Sequence, residues 1–166
     1  MPCVRETVHG ASLHLILTNI EMKRYFYESM IADILLCLSS CSTIAIGPFV
    51  FFKRGKDDVF LYSKNHETVH AVQWTEVTAI FGLIIFVMQL VFGFSAWWYL
   101  LAPVAYYVWY VLEWLVKLVI LQDSNSAYKS ICFEMEAYKN QRDDNYIENR
   151  RMVTPWLNEV FHTVIG

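Results

Sequence analysis

Charge is scarce in this 166-residue chain: Asp, Glu, Lys and Arg make up 17% of it, against roughly a quarter in ordinary soluble domains. A basic stripe is missing too, since the 13 Lys and Arg are scattered among 16 Asp and Glu for a net charge of −3, which excludes nucleic acid as a partner. The four cysteines, Cys3, Cys37, Cys41 and Cys132, contain no C-x-x-C pair of the kind oxidoreductases use. Cys37 and Cys41 are expected to share one helix face as small buried hydrophobes, with no basic neighbour to activate a thiol. The chain has no internal repeat or low-complexity tract. No small-residue cleavage site follows an apolar core in the first thirty residues, so no cleavable signal peptide is expected and insertion should use the chain's own spans. The length suits one domain.

What is present is apolar and aromatic. Hydrophobic residues are 56% and aromatics 16%, which points to a mainly α, polytopic membrane protein. Residues 1–29 read as a partly helical, surface-lying lead-in. The run from Met30 to Ile46 is a marginal span, near the lower limit of about 17 residues. Residues 47–63 read as a small β-hairpin, with strands Phe49–Phe52 and Val59–Tyr62 around a polar turn at 53–58, or else as a membrane-border loop. A hairpin there would offer an edge for backbone pairing with an extended peptide.

Residues 64–94, capped by Ser63 or Asn65, read as one helix that begins polar and runs into a span. A second span is expected over 97–121, kinked at Pro103. Residues 126–150 read as a polar helix. Residues 153–165 read as an amphipathic helix with Thr154 as N-cap and Pro155 at N1, suited to packing on the spans or lying in the interface. Lys53, Arg54, Lys56, Lys64, Lys117, Lys129, Lys139 and Arg142 flank the outer ends of the two spans, whose connecting turn is uncharged. The positive-inside rule therefore places both outer ends at the cytoplasmic face of a multi-pass plasma-membrane (inner-membrane) protein.

The chemistry is concentrated in His66-Glu67-Thr68-Val69-His70. Residues four apart project from one helix face, so His66 and His70 can present two imidazoles to one cation. Glu67, on the adjacent side, can accept a proton from water beside a metal without being a ligand. A third donor is needed, and Glu134 or Glu136 on the later polar helix can supply it. They lie roughly 200° apart around a helix, so only one faces the metal and the other is a supporting or surface group. Gln73, one turn beyond His70, is placed to touch either a substrate or a ligand. Two imidazoles and a carboxylate suit zinc, and would also accept iron, cobalt or manganese.

Glu113 reads as the partner of Lys117 in an i,i+4 ion pair more readily than as a functional intramembrane carboxylate. Gln89 reads as an interhelical packing residue. Tyr106, Tyr107 and Tyr110 read as belt or core aromatics more readily than as oxyanion donors.

His66-Glu67-x-x-His70 followed by Glu134-x-x-Ala137 resembles the gluzincin pattern, in which a downstream helix supplies a glutamate in an E-x-x-A-D context. The membrane-embedded branch, similar to the CAAX-prenyl and heat-shock-type zinc proteases, has a transmembrane hairpin between the two parts, as residues 77–121 would be here. Asn65-His66-Glu67-x-x-His70 with the later Phe133-Glu134-x-Glu136-Ala137-Tyr138 also resembles a group of small uncharacterised bacterial membrane proteins, over about residues 47–151 and not over the first forty. The resemblance implies His66, His70 and Glu134 as zinc ligands and Glu67 as general base. Tyr138 stands where the pattern has Asp, so support of a histidine ligand would pass to Glu136, Tyr138 or another group.

The expected function is that of an integral-membrane zinc metallopeptidase acting on a protein or peptide at the cytoplasmic face. The alternative is a non-catalytic membrane protein that keeps a structural or vestigial metal site for partner binding. A metal transporter is a weaker third reading, with Gln89 and Glu113 as a thin set of polar groups for a path through the membrane.

Overall fold

A computed structural model describes residues 24–37 and 41–165. The chain is mainly helical with one small three-stranded sheet. The elements in order are β1 (Tyr25–Phe26), α1 (Met30–Leu35), β2 (Thr43–Ile46), β3 (Phe49–Phe52), α2 (Leu61–Phe92), α3 (Ala102–Leu121), α4 (Ser124–Lys129), α5 (Cys132–Asn140), α6 (Tyr146–Asn149) and α7 (Thr154–Ile165). The lead-in expected over 1–29 lies outside the described residues up to position 23, and its end forms strand β1 and a bend.

The expected span over 30–46 is corrected. Its first part is the six-residue α1 and its last part is strand β2. Thr43, Ile44 and Ile46 are β-branched and find a partner in Phe49–Phe52, and Gly47-Pro48 is the tight turn that joins them. Gly47 supplies the positive φ of 59° that a two-residue loop needs. Cys37 and Cys41 accordingly do not share a buried helix face; both are exposed.

The hairpin is thus shifted upstream of its expected place. Phe49–Phe52 is a strand as expected, but its antiparallel partner is β2, in the register Thr43↔Phe52 and Ile46↔Phe49. Residues 56–58 form a single 3₁₀ turn, and Leu61 and Tyr62 already belong to α2. On the other side of β3, β1 pairs in parallel, Tyr25↔Val50 and Phe26↔Phe51, which gives the order β1-β3-β2. Strand alternation splits the sheet into two faces. Val50, Phe52 and Ala45 pack towards Ala71 of α2, while Phe51, Ile44 and Ile46 pack towards Ala32 and Leu36.

Helix α2 has 32 residues, about 48 Å at 1.5 Å per residue. Neither Ser63 nor Asn65 caps it, because it starts earlier, with Phe60 in the cap position. Its first half is buried at His66, Val69, His70, Gln73, Glu76 and Val77, a helical repeat that faces the rest of the fold. Its second half exposes Leu83, Ile84, Phe86, Val87, Leu90 and Val91. Gly93, at φ 68°, ends it in a left-handed cap that bonds Gln89 O.

A 3₁₀ turn over Ala96–Leu101 leads into α3. Pro103 sits in the first turn of α3, where a missing N–H has no cost, so it starts the helix instead of kinking it. Trp74 Nε1 donates to Pro103 O at 3.0 Å, which locks the two long helices together at that level. α2 and the stretch Ala96–Leu121 are each long and apolar enough to cross a membrane.

The polar helix expected over 126–150 is three helices. Asp123 caps α4 by accepting from Ser126 N, and the backbone turns at Ser130-Ile131 and again after Asn140. Those breaks let α5 face α2. The main core joins Val77, Tyr106, Ile131, Cys132, Phe133 and Trp156, so α2, α3, α5 and α7 close around one aromatic cluster.

Candidate metal centre

Helix α2 carries His66 and His70 on its buried face, and α5 presents Glu134 to the same point. Nε2 of His66 and Nε2 of His70 are 3.1 Å apart. Glu134 Oε1 is 3.2 Å from His70 Nε2, and Glu134 Oε2 is 3.4 Å from His66 Nε2. Ligand bonds of about 2.0–2.1 Å at a tetrahedral centre put donor atoms roughly 3.3–3.4 Å apart, so this triangle has the size of one face of a zinc tetrahedron. The three residues are buried, and they form a group that can hold a metal ion. Glu134 Oε2 has no hydrogen-bond partner among the described residues, which leaves it a free acceptor for a cation.

Burial works against the ionised form of Glu134. The neighbouring imidazoles of His66 and His70 outweigh it, with Tyr110 adding a smaller part, and hold the carboxyl well below the usual carboxylate range.

The orientation of His70 is set by Gln73. Gln73 Nε2 donates to Phe133 O at 3.0 Å and to Glu136 Oε2 at 2.9 Å. Its Oε1 therefore faces His70 Nδ1, 2.9 Å away. An acceptor there puts the imidazole proton on Nδ1 and leaves the Nε2 lone pair for the metal position, an assignment made from the hydrogen-bond network. Tyr106 OH lies 3.3 Å from the same Nδ1, and Tyr110 OH donates to Glu134 Oε1 at 2.7 Å.

Glu136, one of the two candidate carboxylates, points away from the histidines. It accepts from Gln73, from Tyr146 OH at 2.9 Å and from Arg150 Nε at 2.6 Å. Tyr138 packs its ring edge-on to His66, centroids 4.7 Å apart, and His66 Nδ1 has no hydrogen-bond partner among the described residues. The position that is Asp in the resembled pattern therefore contributes a ring contact, and the polar support goes to the other histidine through Gln73.

Glu67, next to His66, lines the same cleft and accepts from Thr43 Oγ1 at 3.1 Å. The cleft, about 280 Å³, is lined by Thr43, Ile44 and Ala45 of β2, by Glu67, His66, His70 and Trp74 of α2, and by Tyr106, Tyr107 and Tyr110 of α3. Strand β2 pairs only with β3, so its second edge carries no strand among the described residues.

The tyrosines of α3, read from sequence as packing aromatics, have polar duties here: Tyr107 OH accepts from Gly47 N at 2.7 Å, and Tyr106 and Tyr110 lie within hydrogen-bond distance of His70 and Glu134. Their spacing of 3 and 4 along α3 was the available signal. Glu113 pairs with Lys117 at 2.7 Å as expected, and it also accepts from Trp109 Nε1 and Cys132 N. Arg150 and Glu76 were not anticipated. The only hint was an acidic residue at the threshold of the apolar part of α2, which demands a cation if buried.

Comparison of the chain with protein-family models, curated proteins and solved structures found no match in any of the three.

Proposed function

We propose that this chain is a membrane-integral zinc-dependent endopeptidase that cleaves a protein or peptide at the cytoplasmic membrane face. The observation that carries the reading is the His66–His70–Glu134 triangle, with edges of 3.1–3.4 Å, sharing its cleft with Glu67. His66, His70 and Glu134 would hold the zinc ion. When bound, zinc supplies Lewis acidity to a carbonyl oxygen and to water.

The residues of the chain do the rest. Glu67, held on one carboxylate oxygen by Thr43, has its other oxygen free of that bond to take a proton from water and return it to the leaving nitrogen. Strand β2 lines the cleft, and its second edge carries no strand among the described residues, which would suit an extended peptide aligned by backbone pairing. Gln73 keeps His70 aimed, and Tyr110 keeps Glu134 aimed.

Membrane placement rests on lengths. From His70 to Phe92 the helix rises about 33 Å, close to the roughly 30 Å of a hydrocarbon core. With Gly93 at the far border, the metal triangle lies at the near one. The basic residues around the near ends favour the cytoplasm as that side.

The rival reading, a membrane protein that holds a metal without catalysis, draws on His66 Nδ1, which has no hydrogen-bond partner among the described residues. One experiment separates them. Purified chain in detergent is assayed for zinc content and for cleavage of an unstructured protein, beside His66→Ala and Glu67→Gln. The peptidase reading expects zinc in the wild type, none in His66→Ala, and zinc without cleavage in Glu67→Gln. Zinc with no cleavage in the wild type favours the rival, and absence of any metal ends both.

A further inference from the structure

Arg150 lies between α6 and α7, some eighty residues from the histidines, yet its side chain is only 3% exposed. Its guanidinium divides between two carboxylates. Nη1 and Nη2 meet Glu76 Oε1 and Oε2 at 2.5 and 2.9 Å, while Nε and Nη2 meet Glu136 Oε1 and Oε2 at 2.6 and 3.3 Å. Both contacts have the forked geometry that only Arg provides.

Glu76 is itself immobilised, because Val153 N and Trp156 Nε1 also donate to it at 2.9 and 3.0 Å. Val153 has φ 63°, a conformation that a β-branched residue adopts only where its surroundings impose it. Glu76 and Gln73 are three apart on the same face of α2. The side chains Gln73, Glu136, Arg150 and Glu76 therefore form a closed ring that leaves α2 one turn beyond His70 and returns to it one turn later.

We propose that Arg150 is a positioning residue for the metal centre, holding His70 through Glu136 and Gln73 in the tautomer that offers Nε2 to the cation. The proposal rests on reading His66, His70 and Glu134 as a metal site. The reason is the two-faced chemistry of a primary amide. Turned by 180°, Gln73 would present N–H groups to His70 Nδ1, drive the imidazole proton to Nε2 and block that ligand. Two acceptors keep the nitrogen end away from His70: Phe133 O, fixed by the backbone, and Glu136 Oε2, fixed by Arg150. A lysine ammonium in place of the guanidinium keeps the charge but cannot fork onto both oxygens of both carboxylates, so Glu136 Oε2 is no longer fixed and gives up its hold on one of the two amide hydrogens. A role confined to neutralising two buried carboxylates would stabilise the fold and leave the His70 tautomer unaffected.

The test uses the full chain in detergent, stripped of metal and titrated with Co2+. Wild type is compared with Arg150→Lys, Gln73→Met and the double variant, and the metal-free thermal unfolding of each is recorded alongside. Arg150→Lys is expected to weaken Co2+ binding about 10- to 100-fold and to change the visible Co2+ spectrum. The double variant should bind no worse than Gln73→Met, since both changes act through one hydrogen bond. Arg150→Lys binding within twofold of wild type, or losses that multiply in the double variant, overturns the proposal alone.

A second measurement needs no Arg150 variant. With 15N-labelled histidine in the Zn2+-loaded wild type, the resonance that His70→Ala removes should report a proton on Nδ1 and the metal on Nε2, and metal on Nδ1 overturns the proposal. A wild type that binds no Co2+ overturns the metal reading and the proposal with it.

Discussion

Thr43 Oγ1 donates to Glu67 Oε1 across 3.1 Å, so a residue of the sheet's outer strand holds the carboxylate that neighbours the first histidine. The bond joins strand β2 to helix α2 within the cleft that both residues line.

Thr43→Val keeps the β-branched shape and removes the hydroxyl. A hydrogen bond to a charged group contributes about 1.5–3 kcal/mol, so cleavage should slow by roughly 10- to 100-fold if the full amount is felt in the transition state. Zinc content should stay at the wild-type level. Steady-state cleavage rates beside metal analysis check both, and loss of zinc in this variant would contradict the assignment of the bond to Glu67.

The two carboxylates of α5 should behave differently when each is changed to glutamine. Glu134→Gln changes the carboxylate whose two oxygens lie at the histidines, and its metal stoichiometry should fall towards zero. Glu136→Gln leaves all three ligands in place and should retain the metal at saturating zinc. Elemental analysis after dialysis decides, and equal loss in both would show that the triangle is not the site.

Tyr110→Phe deletes a 2.7 Å hydrogen bond to Glu134 Oε1. Groups that orient metal ligands typically contribute 10- to 100-fold in affinity. A loss of about tenfold is expected in competition with a chromogenic chelator, with little change in the unfolding midpoint. Unchanged affinity would assign the tyrosine to packing alone.

Glu76→Leu should be far more damaging to the fold. It takes the acceptor from Arg150 Nη1, Val153 N and Trp156 Nε1 while Glu136 still pairs with the guanidinium, and each buried donor left unsatisfied costs about 1–3 kcal/mol. Thermal unfolding in detergent should show a large drop, with α7 the first element to become susceptible to protease. A shift of a degree or two would mean that the ring around Arg150 is loose.

Membrane orientation can be read by thiol labelling in intact cells, in a background without native cysteines. A cysteine at Ser95, in the turn between the long helices, should react only from the outer side, and one at Lys56 only after the cytoplasm is opened. The reverse pattern would put the metal triangle on the outer face.

Two kinds of information were available from the residues in order. His66, Glu67 and His70 fall within about one helical turn, and a run such as Val77–Phe92 is apolar regardless of what surrounds it, so the histidine pair and the long helices come from local periodicity alone. Glu134 could be narrowed to one of two carboxylates by the same helix geometry, but which of them faces the histidines depends on how α5 turns after the break at Ser130-Ile131.

The folded chain decided everything that joins distant residues. Met30–Ile46 is apolar enough to suggest a span, yet its second part is taken by Phe49–Phe52, because backbone pairing across a Gly-Pro turn satisfies its N–H and C=O groups where a helix would end. Gln73, Glu136 and Arg150 are separated by 63 and 14 positions, and no periodicity links residues so far apart. Their meeting is set by burial: polar groups enclosed among Val77, Phe133 and Trp156 must find one another, since unpaired they would cost more than the packing around them returns.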